Sequence, residues 1–138
     1  MRILNLVLTA AVMLYFAACS GSGTQKQELG GTKWILYELE GVVQKFQSGS
    51  KDVYIQFDAA ENQTSGFASC NTFSGSYTAT GSSIKIGPLS STKMACDDMS
   101  TETKFMQSLN KSASYKISSG SLSLIDASGV VLCMLKAK

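Results

Sequence analysis

The residues of this 138-residue chain best suited to chemistry are four cysteines, at positions 19, 70, 96 and 133, and the chain has no histidine to accompany them. A cysteine acts as a nucleophile through its thiolate, and a neighbouring base is the usual means of generating it. With no imidazole available, Cys–His and Ser–His catalytic pairs are excluded, as is every zinc site that needs a histidine. The three cysteines beyond Cys19 include no C-x-x-C pair, so a zinc site built on them is disfavoured. Ser-x-x-Lys occurs at Ser48/Lys51, Ser90/Lys93 and Ser108/Lys111. A serine–lysine acylase uses that spacing on a helix, where the amine reaches the hydroxyl. Only the last of these falls on a predicted helix, and the companion motifs are missing, so such hits read as chance in a serine-rich chain. Asp97 and Asp98 lack the spacing of a calcium loop and suit a helix start instead. The expectation is a non-enzyme with no catalytic residue, no metal and no cofactor.

Two of the four cysteines lie in the stretch 66–96, which also holds the only proline, Pro88, and glycines at 66, 75, 81 and 87. It reads as a strand, a tight loop, a hairpin and a second loop that brings Cys96 back towards Cys70. The side chain of Asn71 can bond neighbouring backbone groups and hold the turn after Cys70. Lys93 and Met94 stand beside Cys96 on the second loop. Binding residues concentrate on loops held by a rigid frame, so Asn71, Lys93 and Met94 form the candidate partner surface.

The frame is legible from period-two alternation and turn residues. Strands are predicted over 32–40, 52–58 and 63–68. The first has Trp34 and Leu36 on one face and Ile35, Tyr37 and Leu39 on the other. The second points Val53, Ile55 and Phe57 inward. A hairpin of 73–80 and 83–86 turns at Gly81, and Pro88 ends its second strand. One helix is predicted over 98–110, with Met99, Phe105, Met106 and Leu109 on its apolar face and Glu102 in its first turn, capped by Asp98 or Ser100. Strands over 113–117, 121–125 and 130–136 follow. The fold class is mainly β, of the α+β kind: a curled antiparallel sheet or small barrel-like fold of about eight strands, with one helix.

A chain of this length holds one domain, and 44% hydrophobic with 16% charged residues suits a globular one. A net charge of +2 leaves no electrostatic footprint for nucleic acid. Residues 1–18 run from Arg2 through an apolar core to Ala17 and Ala18, the pattern of a secretory signal peptide. Phe16-Ala17-Ala18-Cys19 resembles a bacterial lipobox, with Phe16 where an aliphatic residue is usual. The resemblance implies lipidation at Cys19 and attachment to a membrane through several acyl chains. Residues 19–29 then form a polar, flexible tether, and 30–138 the domain. Ser20, not acidic, favours the outer membrane facing the periplasm over the inner membrane or the cell surface.

The order of motifs in the domain resembles the META domain, also called the HslJ-type domain, of bacterial envelope lipoproteins and stress proteins. The resemblance rests on Trp34-Ile35-Leu36, on Ile55-Gln56-Phe57, and on Gly66, Cys70-Asn71, Phe73, Gly75 and Tyr77. It continues through Ser91 to Cys96 (STKMAC), the helix with Glu102, Phe105 and Leu109, and finally Leu122, Leu124 and Gly129. It covers about residues 29–136. Ser69 departs from it, standing where the family commonly has glycine before Cys-Asn. The family implies a compact β-rich fold, export in many members, and links to heat shock, antibiotic tolerance or secretion. It implies no known reaction.

Export exposes the thiols to an oxidising compartment. Cys70 and Cys96 both lie in loops bounded by turn residues, whereas Cys133 lies in the apolar strand VVLCML, where a free cysteine packs as a small hydrophobe. The expectation is a Cys70–Cys96 disulfide and a buried, reduced Cys133. The resulting reading is an exported, lipid-anchored envelope protein, a non-enzymatic binding or stress-related module with an envelope protein or small ligand as partner. The alternative is a small-ligand or peptide-binding, inhibitor-like module that uses a barrel mouth or the cysteine loops.

Overall fold

Alternating apolar and polar residues give each strand one face for a core. A computed structural model describes residues 28–46 and 48–138; residues 1–18, Cys19 and most of the tether lie outside the described residues. Among the described residues nine strands run in the order β1 (Lys33–Leu39), β2 (Val42–Val43), β3 (Tyr54–Asp58), β4 (Gln63–Phe67), β5 (Thr72–Thr80), β6 (Ser83–Ser91), β7 (Ser114–Ser118), β8 (Ser121–Ile125) and β9 (Val131–Ala137). Helix α1 (Ser100–Lys111) joins β6 to β7. The strands pair antiparallel, and β1 bonds both β3 and β9, so the sheet closes into a ring. The short β2, which the alternation does not announce, pairs with the far end of β1. This is the curled antiparallel sheet with one helix that the sequence predicts.

In two of the predicted strands the outcome differs from the sequence reading, in both because of bulges. Leu39 is buried beside Trp34 and Leu36 rather than facing outward with Tyr37. The pairing of β1 with β9 slips between Leu36 and Glu38, and one extra residue reverses the faces beyond it. Pro88 does not end β6. Tyr77 pairs with Ile86 and Gly75 with Leu89, so Gly87 and Pro88 together oppose Ser76. A bulge needs no ladder bond from its extra residue, and a proline without an N–H is accommodated there.

The ring is weakest between β6 and β7, which share the single pair Ser83 and Ser114. The bonds Ile84 N–H to Ala113 O (3.0 Å) and Tyr115 N–H to Ser82 O (2.8 Å) complete that seam. Helix α1 packs against β6, β8 and β9, and its Phe105 and Leu109 are fully buried. Phe105 meets Phe73 edge-on at 6.2 Å between ring centroids, and Phe57 meets Tyr77 at 4.9 Å. Trp34, Tyr115, Leu122, Leu124 and Leu135 complete the interior. The Trp34 indole N–H donates to the Leu29 carbonyl at 3.0 Å and pins the entering chain to the barrel.

Gly66 faces this core, between Ile55 on β3 and Phe73 on β5. A methyl group there would collide with the Tyr54 carbonyl oxygen and the Phe73 ring. Gly66→Ala is therefore expected to cost about 1–3 kcal/mol, the usual range for overpacking. Urea unfolding followed by circular dichroism measures this, and an unchanged midpoint would contradict the packing described.

Candidate functional site

Three separate segments converge at one end of the barrel: the loop between β4 and β5, the strand-like extension of β6, and the first turn of α1. Cys70 and Cys96 are bonded there, with 6.1 Å between their α-carbons, as the turn residues around them predict. Closing a loop of this size contributes about 3–4 kcal/mol in the chain-entropy model. Thr92 N–H donates to Thr72 O at 3.0 Å and extends the β5–β6 ladder by one step past the end of β6.

Beyond that step, the Asn71 side chain takes over as the strand partner. Its Oδ1 accepts from Met94 N–H and from the Thr92 hydroxyl, each at 2.7 Å. Its Nδ2 donates to Met94 O at 3.1 Å and to Glu102 Oε1 at 2.8 Å. Two donors and two acceptor positions are thereby all used, the full capacity of a primary amide. Glu102 Oε2 in turn accepts the backbone N–H groups of Cys70 (3.0 Å) and Asn71 (2.7 Å).

Glu102 is the residue that the sequence reading undervalued. It does occupy the first turn of α1, as predicted, but it is only 7% exposed and its carboxylate holds the cysteine loop. The available signal was its spacing. Glu102, Phe105 and Leu109 stand three and four residues apart, so the glutamate lies on the buried stripe of the helix. A buried carboxylate needs partners, and here they come from a loop more than thirty positions earlier. Burial pushes the carboxyl pKa up, but hydrogen bonds from the Asn71 side chain and from the N–H groups of Asn71 and Cys70, with the charge of Lys93, outweigh that effect. The pKa ends below its ordinary value. The predicted helix start at residue 98 shifts to Ser100, with Asp98 Oδ1 accepting Ser100 N–H at 2.8 Å ahead of the first turn.

Of the three residues proposed as a partner surface, Lys93 and Met94 are exposed, Met94 by 63%. Asn71 is buried and lies under that surface, where it fixes the backbone of Met94 from both sides. Ser69 has a φ of +110°, in the region that favours glycine, which matches its place before Cys70 in the loop. Cys133 is free and buried, and burial pushes its thiol up to about 12, far from a reactive thiolate. Among the described residues no group of three or more Cys, Asp or Glu is placed to hold a metal ion. Two shallow grooves of about 530 and 510 Å³ lie elsewhere, on the outside of the barrel. One includes Gln56, Asp58 and Ser65, the other Lys33, Tyr54 and Phe67.

The META domain model matches residues 27–138. The fold is similar to three solved structures. A protein solved by NMR is 21% identical, with 82% of this chain and 92% of that one covered and a TM-score of 0.61. A Burkholderia xenovorans protein, also solved by NMR, is 20% identical over 82% of this chain and 86% of its own, with a TM-score of 0.63. A DUF4847 family protein from Bacteroides vulgatus is 21% identical over 61% and 57%, with a TM-score of 0.50. No match to a curated protein is found.

Two substitutions test the geometry of this site. Glu102→Gln keeps the shape, removes the charge and turns an amide NH₂ towards Asn71, so it is expected to cost about 2 kcal/mol at neutral pH. A carboxyl with a lowered folded pKa contributes stability that is complete above its unfolded pKa, near 4.3, and is lost as pH falls through the folded value. The stability gap between the native protein and Glu102→Gln should thus narrow on acidification below about pH 4. A gap independent of pH down to 2 would refute the assigned ionised state. Ser69→Gly relieves a strained φ and is expected to raise stability by about 1 kcal/mol, read as a higher urea midpoint; a lower midpoint would mean that the strain is absent.

Proposed function

This chain belongs to the META domain family, and on that premise we propose that it is an exported, lipid-anchored envelope protein that binds another envelope component without catalysing a reaction. The contact is made by the rim that carries Lys93, Met94 and the Cys70–Cys96 disulfide. The reading is carried by one observation, the presentation of Met94. An exposed thioether is an adaptable apolar contact, and its backbone is hydrogen-bonded at both N–H and C=O by a buried amide. A side chain on a fixed backbone loses little freedom on binding, which favours affinity. The interior supports this reading over ligand capture in the barrel, because Trp34, Phe57, Tyr77, Phe105 and Tyr115 occupy that space with their bulk. Anchoring rests on the signal pattern of residues 1–18 and on Cys19 behind Ala17-Ala18. Ser20 directs the anchored protein to the outer membrane, facing the periplasm.

A photo-crosslinking residue at position 94, introduced in cells, is expected to yield a discrete adduct with an envelope protein. The same residue at Lys85, exposed on β6, is expected to yield none. Identical adducts from both positions, or none from position 94, would refute the rim as a contact surface. Cys19→Ser is expected to move the protein from the membrane fraction to the soluble one, and an unchanged distribution would refute the anchor.

A further inference from the structure

Period-two pairing aligns one outward row across four neighbouring strands. Ile35 on β1 pairs with Lys136 on β9 and Tyr54 on β3, and Tyr54 pairs with Phe67 on β4. The three apolar members are half-buried, so each keeps part of its surface on the outside of the barrel. Lysines lie over the rings of this face. Lys33 Nζ stands 3.9 Å from the centroid of Tyr54 and Lys51 Nζ 5.7 Å from that of Phe67, while Lys136 Nζ covers Tyr37 at 3.6 Å. A groove of about 510 Å³ runs between them and includes Lys138, whose ammonium bonds Asp52 at 2.7 Å. Four lysines thus share the face with one carboxylate from its groove, although the whole chain is only slightly basic.

We infer that this face seats the domain on an anionic membrane surface, with the ammonium groups on lipid phosphates and Tyr54, Phe67 and Ile35 at headgroup depth. Aromatic rings favour the headgroup level, and each lysine near an anionic leaflet strengthens association about fivefold. Ammonium groups resting on ring faces lie level with the apolar row, so both reach one surface together. The inference rests on the lipid anchor proposed above for the membrane's proximity. Ten residue-to-residue steps lead from Cys19 to Leu29, a contour of at most about 36 Å, so an anchored domain cannot leave the headgroup region by far. The acylated Cys19 keeps the domain at the membrane, and the basic face adds an electrostatic contact that fixes which side of the domain meets it.

Amine acetylation read by mass spectrometry tests this on the protein isolated from cells. The vesicles are of phosphatidylcholine, alone or with one third phosphatidylglycerol. Acetylation of Lys33, Lys51 and Lys136 is expected to fall at least fivefold on the anionic vesicles and to recover in high salt, while Lys85 and Lys116 stay unchanged. The doubly reversed variant Lys33→Glu/Lys51→Glu is expected to lose the protection of Lys136. Equal labelling on both vesicle types, protection spread evenly over all lysines, or protection of Lys136 that survives charge reversal would each overturn the inference. The footprint is read in the same way for an acylated chain reconstituted in vesicles and for a free chain mixed with them. Protein isolated from cells that carries no acyl group yet shows protected lysines refutes the anchor alone, and an anchored chain with evenly reactive lysines refutes the face alone.

Discussion

A carboxylate removed from water must be paired, and Glu102 meets that requirement with groups from elsewhere in the chain. Three donors converge on it: two backbone N–H groups of the loop after β4 and the Asn71 amide. Charge-assisted bonds of this kind are about twice as strong as neutral ones. They act between α1 and the β4–β5 loop. The helix is therefore held to the barrel at its first turn by polar bonds and along its length by Phe105 and Leu109. Loss of the glutamate would leave two loop N–H groups and one amide donor without their acceptor. The loss would affect loop and helix together.

The disulfide and the carboxylate network constrain overlapping residues in different ways. The Cys70–Cys96 bond limits how far the loop can move even in the unfolded chain, and so acts on unfolded-state entropy. The bonds of Asn71 and Glu102 act only in the folded state and set the loop's shape. Neither replaces the other. A disulfide alone leaves the segment from Thr92 to Cys96 free to swing about its sulfurs, whereas Asn71 fixes Met94 by both polar groups of its backbone. The strained φ of Ser69 fits the same picture, because a residue stays in a disfavoured conformation only where its surroundings determine it more strongly.

The parts of this fold that were legible in the sequence are those set by local pattern. Val53, Ile55 and Phe57 alternate cleanly and point inward as read, and the hairpin of β5 and β6 turns at Gly81 as read. The disulfide was legible because Cys133 alone among the three candidates sits in an apolar strand. The errors arise where local pattern is interrupted by pairing. Leu39 changes face because a bulge in β1 is fixed by its register with β9, nearly a hundred residues away. Pro88 is tolerated because Ser76 faces two residues, a fact of the hairpin rather than of the proline. Glu102 was read for its position in its own helix, while its role is decided by a loop that no local rule connects to it. Its place on the apolar stripe with Phe105 and Leu109 was the one sequence signal for burial, and it carried no information about the partner.

The buried polar cluster of Asn71 and Glu102 acts as a support because its valences are used up. Asn71 has no donor or acceptor left over, and the two oxygens of Glu102 already take three bonds. Groups that saturate one another have little left with which to orient a substrate, and a lowered carboxyl pKa makes Glu102 a weak base at neutral pH. What the network gives the surface is position. It holds Met94 outward on a rigid backbone, much as the strand register of β1, β3 and β4 holds Ile35, Tyr54 and Phe67 in one row. In both places buried order determines which side chains face outward together.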